Sequence, residues 1–431
     1  MAGTSVLLHN ARLIDGNGGD PLPGAALLIR DTRLEWVGRT EDLAPGTRRD
    51  VTHRVDLAGR TVCPGFIDTH VHFALPGTKG SALDGLREPP TYRTLKVLER
   101  LRVTLENGVT TARDLMGLDA GFRQAVAERR VPGPRLLVAV TMLSQHAGHA
   151  DFTMAGGFDA LAAAVMFPGS PTGLVDTVDE MRLRVRELVA AGADCVKLAS
   201  SGGVSSPHDD PEWLGLRPEM IRAAIEEAAA HGGRRVAVHA IGRPGIAAAV
   251  RAGVHSVEHG YALDDELRAE MADRGQFLVP TLTETMTDLD PARTSPAIHA
   301  KGVRWHRVAQ ESVARSVEAG VRVAMGTDAG LTPDHGTNLR ELELLVRFAG
   351  LTPLRAITAG TRDAAELCGL SDTVGTVEAG KLADLVITGA DPLSDIAALA
   401  DPRQVLVVVK DGRVAIDRGA VLGDTLPPLC P

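Results

Sequence analysis

The residues of this chain that could do chemistry together are His70 and His72 in IDTHVHF, Lys197 in CVKLAS, His239 in VAVHA, His259 in VEHG and Asp328 in MGTDAG. Four imidazoles and a carboxylate suit zinc or a similar divalent cation. Lys197 is the odd member, because an ammonium has three donors, no acceptor, and cannot ligate a metal. Buried, its pKa should fall, and the neutral amine can then react with carbon dioxide. The product is a carbamate, a carboxylate-like anion that can bridge two cations. The expected cofactor is therefore a pair of divalent metal ions, Zn2+ first, bridged by N6-carboxylated Lys197 and by a hydroxide. Asp328 would orient that hydroxide, accept its proton and pass it to a departing amine, which makes Asp328 and Lys197 the catalytic candidates. The rival for Lys197 is a plain ammonium paired with a carboxylate beside a single metal.

Each of these residues closes a short apolar run that reads as a buried strand. The expected strands are Phe66–His72, Val109–Asp114, Arg135–Thr141, Asp194–Ser200, Arg235–Ala240, Val254–Glu258, Phe277–Leu282 and Arg322–Asp328. Helical patterns such as DEMRLRVRELVAAG and PEMIRAAIEEAAAHG separate them. A helix–Gly–strand junction recurs in ENGVTT, AAGADC, RAGVHS and EAGVRV, with glycine where a helix ends in the left-handed conformation. Alternating strands and helices imply an α/β fold, and eight units close a (β/α)8 TIM barrel whose strand C-termini meet at one mouth. Period two places Asp68, His70 and His72 on one strand face. His255, on the face of His259 but at the strand start, reads as structural, and Cys195 as core packing.

Residues 1–62 and 369–431 carry short alternating strands such as SVLLHNARLID and VLVVVKDGRVAI. Their shared style predicts that both termini form one small composite β-sandwich domain beside a barrel of residues 63–368. Long loops at about 73–91, 142–179 and 283–305 fall on the side where such barrels build substrate pockets. The second, which includes HAGHADFTMAGG, is a candidate lid. His149 in that loop and Gly203 in SSGGVSS are expected near substrate, and His146, His208 and His335 also fall in loops near this face.

Lys plus Arg number 46 and Asp plus Glu 55, a net charge of −9, and aromatic residues are 3%. That balance speaks against nucleic acid as a partner. The cysteines, at positions 63, 195, 368 and 430, form neither a CxxC pair nor a disulfide framework, so a reducing compartment is expected. The first residues read as a strand and not as a signal peptide, and no apolar run approaches a membrane span, so the expected location is cytoplasmic.

PGFIDTHVH, VKLASSGGVSS, VAVHAIG, AGVHSVEHG, GTDAG and VGTVEAGKLADLVITGADPL, in that order, resemble the amidohydrolase superfamily, and within it the imidazolonepropionase-like and prolidase-like branch that includes ochratoxinase-like enzymes. The resemblance spans nearly the whole chain. It implies one metal on His70, His72, Lys197 and Asp328, a second on Lys197, His239 and His259, and a carbamate at the lysine. It also implies a homo-oligomer. Peptidase-like members commonly carry Tyr after the His-Ala of the fifth strand; here that position is Ile241, and Tyr261 is the candidate to take over its substrate contact. The expected reaction is hydrolysis of an amide or peptide, releasing a C-terminal amino acid from dipeptides or N-acyl amino acids. Hydrolysis or deamination of a cyclic amide or heterocycle is the alternative, and a non-enzymatic scaffold the remote one.

Overall fold

A computed structural model describes residues 5–45, 51–77, 82–154, 156–206, 209–286, 295–331 and 334–430. The first strands, β1 (Ser5–Leu13), β2 (Leu22–Arg30), β3 (Arg33–Arg39), β4 (His53–Asp56) and β5 (Thr61–Pro64), alternate and are mostly buried on one face. They are followed by the parallel strands β6 (Phe66–Val71), β7 (Val109–Asp114), β8 (Arg135–Val138), β9 (Met142–Leu143), β10 (Cys195–Ala199), β11 (Arg235–Ala240), β12 (Ser256–His259), β13 (Phe277–Val279) and β14 (Arg322–Val323). The chain ends with β15 (Leu385–Thr388), β16 (Val405–Lys410) and β17 (Arg413–Asp417). β15 pairs antiparallel with β5, so both ends of the chain share one sheet of order β17-β16-β15-β5-β1-β2-β3, with β4 on β1. Val6, Leu8, Leu27, Leu385 and Val407 pack together on one face of that sheet.

The parallel strands form two arcs, β14-β13-β12-β11-β10-β9 and β6-β7-β8. Their cores are the near-continuous apolar runs expected of strands covered on both faces. The arcs meet through single contacts instead of ladders. Thr69 N donates to Met325 O (3.0 Å) and Asp328 N to His70 O (2.8 Å) on one side, and Asp194 N donates to Val138 O (2.8 Å) on the other. Helices follow the strands, among them Val178–Ala190 after β9, Pro218–Ala230 after β10 and Arg243–Ala252 after β11. The four junction glycines take left-handed φ, 103° at Gly108, 86° at Gly192, 92° at Gly253 and 81° at Gly320, a region costly for residues with a Cβ.

The expected strands are trimmed where the backbone turns left-handed or changes partner. The third stops at Val138, because Val140 has φ 66° and Thr141 N folds back onto Ala139 O. The eighth keeps only Arg322–Val323, since Ala324 bonds to Leu278 O but Met325 to Ala359 O. Part of the expected loop 283–305 is helix: Ser295 caps a helix over Pro296–Glu318 through Ile298 N, with proline at its first position. Among the described residues no helix is long and apolar enough to cross a membrane.

Candidate metal centre

The structure brings the expected ligands to one place at the C-terminal ends of the strands. His70 Nε2 and His72 Nε2 lie 3.4 and 3.1 Å from the same oxygen, Oδ1 of Asp328. Ligand atoms of His70, His259 and Asp328 lie within 4.8 Å of one another. The ring of His259 sits 5.3 Å from that of His70 and 4.6 Å from that of His239. Lys197, His239 and Asp328 line the same small cavity, and Lys197 is 1% exposed, its Nζ without a hydrogen-bond partner. A buried, unpartnered amine among imidazoles and a carboxylate is costly unless another group completes the cluster. The donor set therefore fits divalent cations.

Each imidazole has one nitrogen occupied by the fold, which leaves the other as a lone pair for the centre. His72 Nδ1 faces Met116 O (3.3 Å), His239 Nε2 faces Gly202 O (3.0 Å) and His259 Nδ1 faces Thr281 Oγ1 (2.7 Å). His70 Nδ1 lies 2.9 Å from Glu258 Oε2. Glu258 in turn takes Arg113 Nη2 at 3.0 Å, and Arg113 Nε donates to Thr69 O at 2.6 Å. Arg113 and Glu258 are among the most deeply buried side chains, 1% and 0% exposed.

Glu258 and Arg113 were not among the residues expected from sequence, and the reason is local geometry. β12 pairs with β11 so that Glu258 is opposite His239 and His259 opposite Ala240. The inward face of β12 is thus Ser256 and Glu258, whereas alternation counted from His259 selects His255 and Val257. His259 reaches the centre by leaving the strand conformation, with φ 70°, and Asp328 does the same with φ 61°. Left-handed non-glycine residues of this kind persist where the surroundings over-determine them, often at functional sites. Asp68 helps to set the turn at Asp328: it accepts Thr327 Oγ1 (2.6 Å) and Asn338 Nδ2 (2.7 Å). Small residues give room there, since a Cβ on Gly330 would meet His72 O at 2.1 Å. His255 is structural, its Nδ1 accepting Val236 N at 3.1 Å, and Cys195 packs with Leu115, Ala139 and Ala237.

Electrostatics keeps the cluster ready for a cation. Burial pulls the Lys197 ammonium down to about 8 and the His70 imidazolium down to about 4. Burial also holds His239 and His259 well below the ordinary histidine range. For His72 the hydrogen bond and charge of Asp328 outweigh burial and raise its pKa. Burial alone would raise Asp328, but the imidazoles around it, His70 and His72 foremost, hold it well below the carboxylate range.

The residues expected to touch substrate divide. His149 lines the cavity, stacks on His239 with ring centroids 4.0 Å apart, and is held by Asp209 Oδ2 at 3.0 Å. Gly203 was expected to give close access to substrate or a metal-bound water; a Cβ there would instead lie 2.0 Å from His149 Cε1, so the space it clears is filled by that ring. Tyr261 is not brought to the cavity wall: it is 1% exposed and its hydroxyl faces Thr281 Oγ1 at 3.2 Å, behind His259. Ile241 is 1% exposed and packs in the core. His146 pairs with Asp176 at the surface, and His335 stacks on Phe73; His208 lies outside the described residues. Glu284, whose Oε1 accepts Ser205 Oγ at 3.1 Å, is a cavity carboxylate that no sequence pattern marked.

Residues 61–415 match the sequence model of the amidohydrolase family. The chain belongs to that family. This amidohydrolase is similar to ochratoxinase of Aspergillus niger, 31% identical over 423 residues that cover 95% of this chain and 86% of the relative. It is also similar to imidazolonepropionase of Deinococcus radiodurans, 31% identical over 385 residues covering 85% of this chain and 86% of the relative. The crystal structure of A. niger ochratoxinase matches it with a TM-score of 0.86 at 30% identity, covering 97% of each chain. A Xaa-Pro dipeptidase solved with bound methionine in its active site matches with a TM-score of 0.85 at 28% identity, covering 95% of this chain and 99% of that one. The protein is an amidohydrolase-family hydrolase, and the family generally uses divalent metals.

Proposed function

We propose that this enzyme hydrolyses a linear amide or peptide bond, releasing a C-terminal amino acid from dipeptides or N-acyl amino acids. The observation that carries the reading is Asp328 Oδ1 between the Nε2 atoms of His70 and His72, with the unpartnered amine of Lys197 lining the same cavity. The ochratoxinase and dipeptidase relatives support the same class of reaction. His70, His72 and Asp328 would hold one cation, His239 and His259 a second, and Lys197, carboxylated, would join them. Bound divalent ions polarise the scissile carbonyl and acidify water. Asp328, kept ionised by its imidazole neighbours, accepts a proton from the attacking water and delivers it to the leaving nitrogen. Without that proton an amine leaves poorly. Glu258 and Arg113 keep His70 in the tautomer that presents Nε2. His149, stacked on His239 and anchored by Asp209, borders the substrate's path.

In the same reading the two arcs of parallel strands act as one closed (β/α)8 barrel, and the shared sheet of both termini forms a β-sandwich domain. β5 runs through residue 62, so the division falls at Gly65 instead. Kinship with an imidazolonepropionase favours a second reading, opening of a cyclic amide. Mass spectrometry of products from pooled dipeptides, Xaa-Pro included, and N-acyl amino acids, incubated with metal-loaded protein, decides between them. Free C-terminal amino acids are expected. No release from linear substrates, with turnover of lactams or imidazolones, would overturn the proposal.

A further inference from the structure

Two cavities open on the same side of the parallel strands. The one that holds the candidate ligands measures about 150 Å³, and a larger one of about 440 Å³ lies between Thr141–Met142 and residues 150–174. Met116, Met142 and Phe152 line both, so the two are neighbours across a common wall. Small-molecule sites usually span about 300–1,000 Å³. The smaller cavity holds a reacting amide and little more; taken together the two reach the usual range. Any substrate of size must therefore extend from the centre, and the larger cavity is the neighbouring space among the described residues.

Its chemistry is apolar. Besides the shared wall, Met166, Phe167 and Leu174 line it. Of its lining residues only Arg93 and Asp159 carry charge, and both serve the fold. Arg93 donates to Ala164 O and lies 5.5 Å over the Phe167 ring, and Asp159 caps the helix Ala160–Val165 through Ala162 N at 2.9 Å. Thioethers and phenyl rings around a cleft favour aromatic and long aliphatic groups through dispersion and desolvation.

We propose that this cleft is a specificity subsite, and that the enzyme's substrates are amides bearing a bulky apolar substituent rather than short polar dipeptides. The inference rests on the amide-hydrolase reading above. Two matched pairs test it: N-(2-naphthoyl)-L-phenylalanine against N-acetyl-L-phenylalanine, and N-acetyl-3-(2-naphthyl)-L-alanine against N-acetyl-L-alanine. They place the ring on either side of the scissile bond. At least one naphthyl compound should exceed its partner in kcat/KM by on the order of 10- to 100-fold. Filling the cleft from opposite walls, with Ala163→Trp and separately Thr172→Trp, should lower that ratio about 10-fold or more. Fluorescence titration of the naphthoyl compound against the metal-stripped protein reads the cleft without catalysis, and the same variants should weaken it. Tight binding that the variants weaken, with no amide cleaved, would refute the amide reading and leave the cleft standing. Equal rates within both pairs, or a naphthyl preference untouched by both variants, would overturn the subsite.

Discussion

Carboxylation of Lys197 is the step on which the proposed centre depends, and its magnitude follows from burial. An ordinary lysine, with a pKa near 10.5, is about 0.03% neutral at pH 7; with Lys197 brought down to about 8 the neutral fraction is about 10%, roughly 300-fold more amine to meet carbon dioxide. The sign for stability is equally definite. Folding lowers this pKa, so the buried ammonium costs roughly 3 kcal/mol below pH 8, a penalty that fades as pH rises toward 10.5. A carbamate removes the ammonium and supplies an anion in its place. Wild-type protein incubated with 13C-bicarbonate and zinc at pH 8 should therefore show one carbamate carbon resonance, absent from Lys197→Met. Lys197→Ala should lose bridging metal and activity, with part of both restored by excess acetate or propionate. An unlabelled wild-type protein together with a fully active Lys197→Ala enzyme would refute the reasoning.

Glu258→Gln should weaken metal binding about 10- to 100-fold, since His70 loses the carboxylate that orients it; competition against a chromophoric chelator measures this, and unchanged affinity would reduce Glu258 to a packing role. Arg113→Met leaves Glu258 charged and unpaired in the barrel interior and should cost about 3–5 kcal/mol in urea unfolding. His335, buried against Phe73, has its pKa lowered by burial from 6.5 to about 3. The unfolded chain therefore binds the extra proton below pH 6.5, and stability should fall as pH drops from 6.5 toward 3. His335→Phe should remove ~2 kcal/mol of the loss between pH 6.5 and 4.5, read as the difference between the two unfolding profiles; parallel profiles would contradict a neutral buried imidazole.

The six candidate ligands were legible in the sequence because each stands at the end of an apolar run, where parallel strands must converge. The junction glycines were legible for the same kind of reason: a helix that ends before a buried strand needs a left-handed residue, and Gly108, Gly192, Gly253 and Gly320 supply it. Local pattern stops where the backbone breaks period. His259 and Asp328 turn left-handed at their strand ends, which puts Glu258, and not the face of His255, inside the barrel. Only the tertiary structure could seat Arg113 against Glu258 across 145 residues of chain and fill the space beside Gly203 with His149. It also turned Tyr261 onto Thr281, behind the ligand it follows, and set an apolar cleft beside the centre. Ligand types follow from short-range chemistry; the shell that orients them, and the room left for substrate, follow from packing between segments distant in sequence.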